Sequence, residues 1–60
     1  MEKWTLTVEV RKEGHYYQIE EILEGELEDC LEAFLYHHHD ELEEKGLLDR
    51  DNIHVEPFED

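Results

Sequence analysis

Positive charge is what this sequence has least of. Five Lys and Arg stand against nineteen Asp and Glu in sixty residues, a formal net charge of −14. Nucleic acid and anionic membrane surfaces are polyanions, so direct binding to either is not expected, whereas basic partners are. Cysteine is limited to Cys30, which excludes an internal disulfide and fits a reducing compartment. No apolar run approaches the roughly 20 residues that a membrane span needs, and the N-terminus carries no signal-peptide pattern, so a cytoplasmic location is expected. Apolar residues are nevertheless sufficient for a core. Trp4, three Tyr, two Phe and a periodic aliphatic set separate the chain from a disordered acidic tail. At this length it forms one domain, residues 1–60, near the lower limit for independent folding.

Two periodicities organise it. Trp4, Leu6, Val8 and Val10 alternate with Thr5, Thr7, Glu9 and Arg11, the period-two pattern of a strand with one buried face, placed at about residues 3–11. Lys12-Glu13-Gly14 predicts a three-residue hairpin loop, after which a second strand returns over about 15–23. Strict alternation there puts Glu21 inside, yet Ile22 and Leu23 look like the buried residues, so a bulge or strand end is expected at Glu20-Glu21. From Leu27 onward apolar residues recur at steps of three and four (Cys30, Leu31, Phe34, Leu35, Leu42), which predicts one amphipathic helix over about 26–45. Gly25 is its expected N-cap, and Gly46 with Leu47 its expected Schellman ending. Ile53 and Val55 mark a short third strand, about 52–56, that Pro57 ends. The predicted fold class is α+β, ββαβ: a three-stranded antiparallel sheet of order 2-1-3 with the helix packed on one face.

The helix side opposite the apolar stripe collects Asp29, Glu32, Tyr36, Asp40 and Glu43. Like charges one helical turn apart cost a few tenths of a kcal/mol per pair, and a helix tuned for stability would intersperse Lys or Arg. Carboxylates one turn apart repeat every ~5.4 Å, the same order as the ~3.4 Å between phosphates along a nucleic-acid strand. Two readings fit. In one, this ridge, joined by Glu20, Glu21, Glu24 and Glu26, occupies the basic groove of a nucleic-acid-handling protein, with Glu20, Glu24 and Glu28 adding long-range attraction. In the other, it is a solvated acidic surface kept for solubility or high salt. Tyr36 sits among the acids as an interface anchor would.

Other chemistry is thinly supplied. His37, His38 and His39 point about 100° apart on a helix and cannot share one metal; His37 with Glu41, or His39 with Glu43, gives two zinc ligands where three or four are needed. Protonation of these imidazoles near pH 6 would lower the negative charge of the helix's second half. Cys30 lies on the apolar stripe, where a thiol is inert. Only Glu21 is placed to act as a buried general acid, and so small a domain leaves little room for a substrate pocket. No enzymatic activity, cofactor or metal is expected.

Three stretches, Lys3-Trp4-Thr5-Leu6-Thr7-Val8-Glu9, Glu24-Gly25-Glu26-Leu27-Glu28-Asp29-Cys30-Leu31-Glu32-Ala33-Phe34-Leu35-Tyr36 and Ile53-His54-Val55-Glu56-Pro57, follow one another as hairpin, acidic amphipathic helix and last strand. In this the chain resembles the small RNA-polymerase inhibitors of lytic coliphages, a likeness of residue classes that spans most of its length. That family has arginines in and after its last strand where this chain has Glu56, and no functional residue is carried across. The hairpin-plus-helix is also similar to part of the HicB-type antitoxins. The resemblance implies a phage or mobile-element protein that inhibits a basic host enzyme such as RNA polymerase, a nuclease or a DNA-repair enzyme. The alternative is a structural or assembly module that homodimerises through its exposed sheet face or the edge of the third strand, so the chain is expected as a monomer or a homodimer.

Overall fold

The computed structural model describes residues 2–59. It contains β1 (Lys3–Lys12), β2 (His15–Glu24), α1 (Leu27–His37), α2 (His39–Glu44), a 3-10 turn (Arg50–Asn52) and β3 (His54–Pro57). The sheet is antiparallel with order β2-β1-β3, so β1 is central as its clean alternation requires. Leu6, Val8 and Val10 of β1 are buried with Ile19 of β2, Cys30 and Phe34 of α1, Leu42 of α2, and Ile53 just before β3. Trp4, Leu23, Leu31, Leu35, Leu47 and Val55 pack around this set.

The hairpin turn is shorter than the sequence implied. Lys12 pairs directly with His15, leaving a two-residue loop with positive φ at both Glu13 (47°) and Gly14 (83°). That is the sign pattern of a type I′ turn, whose twist matches the strands it joins. From the turn the β1–β2 ladder runs without a bulge to Lys3 opposite Glu24. The expected irregularity at Glu20-Glu21 is absent, and alternation prevails: Glu21, opposite Leu6, faces the helices, while Ile22 is 47% exposed on the outer face. At the open end of the hairpin the Trp4 indole N–H donates to the Gly25 carbonyl at 3.1 Å, tying β1 to the entry of α1.

The N-cap of α1 is Glu26 rather than Gly25, and its side chain makes no capping hydrogen bond. The expected single helix is interrupted at His38, whose backbone (φ −116°, ψ 20°) is non-helical. Phase explains the interruption. At about 100° per residue, an unbroken helix would carry Glu41 to within about 20° of the Phe34 direction and Leu42 about 80° away. The break re-phases α2, so Leu42 is completely buried and Glu41 is exposed. It also gives Asp40 and Glu41 a first turn of their own, where the helix dipole favours acids. α2 ends as expected: Gly46 N–H donates to the Glu43 carbonyl (3.1 Å) and Leu47 N–H to the Leu42 carbonyl (2.8 Å), the two bonds of a Schellman motif, with Leu47 packed on the core. The Asp49 side chain accepts from the Asp51 N–H at 2.9 Å and starts the 3-10 turn that feeds β3.

Candidate functional site

The helical layer carries the main acidic surface, and the break at His38 divides it. Asp29, Glu32 and Tyr36 belong to α1; Asp40 and Glu43 belong to α2. All five are exposed, Tyr36 most conspicuously at 82%. Among the described residues no cation lies against Asp29 or Glu32, while Asp40 and Glu43 share His39, with its Nδ1 3.6 Å and 3.3 Å from their carboxylates. Glu28, also on α1, meets the Arg50 guanidinium at 3.9 Å; with both side chains largely exposed, such a pair is worth at most about 1 kcal/mol.

Glu20 and Glu24 are not brought to this surface. Their β1 partners, Thr7 and Lys3, lie on the outer face of the sheet, and residues directly opposite in an antiparallel ladder point the same way. The outer face therefore presents Thr5, Thr7, Glu9, Tyr16, Gln18, Glu20, Ile22, Glu24, His54 and Glu56, on the side of the sheet away from the helices. Its charges are partly matched: Arg11 lies 3.7 Å from Glu9 and over the Tyr16 ring, and the His54 Nε2–H donates to Glu56 at 2.9 Å. The eight acidic and aromatic positions singled out by sequence thus fall on two surfaces, six on the helices and two behind the sheet.

Between the surfaces lies a cluster built on Glu21, which strand alternation turned inward without naming its partners. The Glu21 carboxylate, 27% exposed, accepts from His37 Nδ1 at 3.0 Å and from His38 Nε2 at 3.2 Å. An ionised carboxylate has no proton to give, so both ring nitrogens facing it carry hydrogens. Consecutive residues of a regular helix diverge too far to converge on one carboxylate; the non-helical His38 backbone permits it. The signal available in sequence was strand parity, which placed Glu21 inside and so required a polar partner on the helix. His38 also packs on Phe34, with ring centroids 4.7 Å apart. Around the break, residues Tyr36 to Glu41 line an open groove of about 590 Å³.

Among the described residues no group of three or more His, Cys, Asp or Glu is arranged to hold a metal ion. The Cys30 thiol is 2% exposed, and burial, then the neighbouring Asp29 charge, pushes its pKa up, away from the reactive thiolate. Lys45, with its ammonium 5.5 Å from the Tyr17 ring centre, has its pKa raised by the Tyr17 side chain first, against a smaller lowering by desolvation, and then by Glu44 and Glu41. Among the described residues no helix is long and apolar enough to cross a membrane. No family model, curated protein or solved structure matches the chain.

Proposed function

We propose that this chain is a non-enzymatic inhibitor of phage or mobile-element origin, which binds a basic host protein through the exposed acidic side of α1 and α2. The observation that carries this reading is the setting of Tyr36. An aromatic side chain is left 82% exposed on a helix whose neighbouring acids, Asp29 and Glu32, meet no cation among the described residues. Desolvated aromatic anchors ringed by polar groups dominate binding energy at protein interfaces, and complementary charge raises association rates. Asp29, Glu32, Tyr36, Asp40 and Glu43 form the contact, with Glu28 at its margin; Glu20 and Glu24, behind the sheet, add only long-range attraction. The target is a nucleic-acid-handling enzyme of the host cytoplasm whose basic groove ordinarily holds phosphates.

The test uses immobilised protein, host RNA polymerase and a purified host nuclease as probes, with duplex DNA as competitor. Binding that weakens with salt, is displaced by DNA and is abolished by Tyr36→Ala or by the triple change Glu32→Lys, Asp40→Lys, Glu43→Lys supports the proposal. Binding that survives both sets of changes overturns it.

A further inference from the structure

We infer that β2 is a self-association edge, at which a second copy of this chain pairs antiparallel about a two-fold axis centred on Ile19. The direction of the backbone groups follows from two hydrogen bonds. Gly25 N–H donates to the Glu2 carbonyl at 2.8 Å and Phe58 N–H to the Lys3 carbonyl at 3.0 Å. Backbone groups alternate sides along a strand, so even-numbered residues of β1 bond to β2 and odd-numbered ones face β3. Given the pairing of Leu6 with Glu21 and Val8 with Ile19, the odd residues of β2 are used by β1. Tyr16, Gln18, Glu20, Ile22 and Glu24 therefore aim their N–H and C=O groups away from the sheet, along a full-length outer strand that no other described element covers. A long bare edge of this kind is a template for a further strand.

Side-chain chemistry selects the occupant and the register. Hydrogen-bonded pairs across the edge must join even residues to even residues. Two registers engage nearly all of β2: one centred on Ile19, pairing residues 15–23, and one centred on Glu20, pairing residues 16–24. The second sets Glu20 against itself. The first sets no carboxylate opposite another: Gln18 faces Glu20, Tyr16 faces Ile22, Tyr17 faces Glu21, and Ile19 faces its own copy. Tyr16 (54% exposed) and Ile22 (47%), the large apolar side chains left bare on the outer face of β2, thereby cover each other twice across the axis. Aromatic–β-branched pairs of this sort stabilise antiparallel sheets. With each chain at −14, the dimer tightens as salt rises, opposite in sign to the attraction of a basic partner.

Sedimentation equilibrium over a protein and salt series, on the wild type and on Gln18→Lys and Gln18→Glu, tests this. Gln18 is exposed, and each change acts twice against Glu20 of the second copy. Lys should tighten the dimer, and Glu weaken it, by roughly two- to thirtyfold. The same two changes at exposed Asn52, which precedes β3 and so lies across β1 from this edge, alter net charge equally and should shift the dimer less. A monomer at every concentration and salt overturns the inference. So do equal shifts at positions 18 and 52, no shift at position 18, or weakening by both Lys and Glu, which would mark an axis through Gln18.

Discussion

Glu21 of β2 and His37 of α1 are sixteen residues apart in sequence, yet their side chains meet at 3.0 Å, on the face of the sheet where the neighbouring positions Trp4, Leu6, Val8, Ile19 and Leu23 are all apolar or aromatic. This contact, with its companion to His38, stands where the helical layer changes phase. Removing the carboxylate by Glu21→Ala leaves both imidazole donors without their partner. A loss of about 1–2 kcal/mol is expected in chemical denaturation, and a double-mutant cycle with His37→Ala should give a coupling of roughly 0.5–1.5 kcal/mol. Additive single and double variants would show that the pair contributes nothing to stability.

Glu13 occupies a left-handed backbone position (φ 47°) that acidic side chains with an extra methylene fill poorly and Asn fills well. Glu13→Asn should stabilise the hairpin by roughly 0.5–1 kcal/mol and remove one charge from an overcharged chain. The check is the thermal midpoint at low and high salt. The part due to the turn persists in high salt, and the part due to charge fades.

Glu26 caps α1 without a side-chain hydrogen bond. Glu26→Ser supplies the missing acceptor for an amide in the first turn, for an expected gain of about 0.5–1 kcal/mol in the same assay. An unchanged midpoint would mean that solvent already satisfies those amides.

Lys45 provides a pH dependence with a definite sign. Its pKa lies above the ordinary value of 10.5, through the neighbouring Tyr17 side chain first and then Glu44 and Glu41. A lysine with a raised folded-state pKa contributes stability that is complete below the unfolded value and is lost as pH rises through the folded one. Lys45→Met should therefore be less stable than the wild type at neutral pH, with the difference shrinking above 10.5 in alkaline denaturation. A gap that stays constant into strong alkali would assign the effect to packing alone.

What the sequence made legible was local or strictly periodic. The alternation of Trp4, Leu6, Val8 and Val10 identified the central strand, and Gly46-Leu47 marked the helix stop because that ending depends on residues close together in the chain. Legibility ended where two elements had to agree. Hydrophobicity favoured burying Ile22, but an unbroken ladder kept strand parity and sent Glu21 inward, where distant histidines accommodate it. The helix break was written in the sequence only as a conflict between two phases, one burying Glu41 and the other Leu42. The acidic ridge was extended to Glu20 and Glu24 on charge alone, although the alternation that turns Glu21 inward also turns Glu20 to the outer face; the register adds Glu24 to that face.

The brevity of β3 bears on how the molecule comes apart. Four residue pairs hold the last strand to β1, against a ladder that runs the whole length of the hairpin. Among the amides that are hydrogen-bonded in the sheet, those of His54 and Glu56 should exchange with solvent first, by peeling of the C-terminal strand, while those of Leu6, Val8 and Val10, shut inside the hairpin ladder, exchange only on global opening. Unravelling thus begins at the end of the chain and uncovers Leu6 and Ile53 before the two long strands separate.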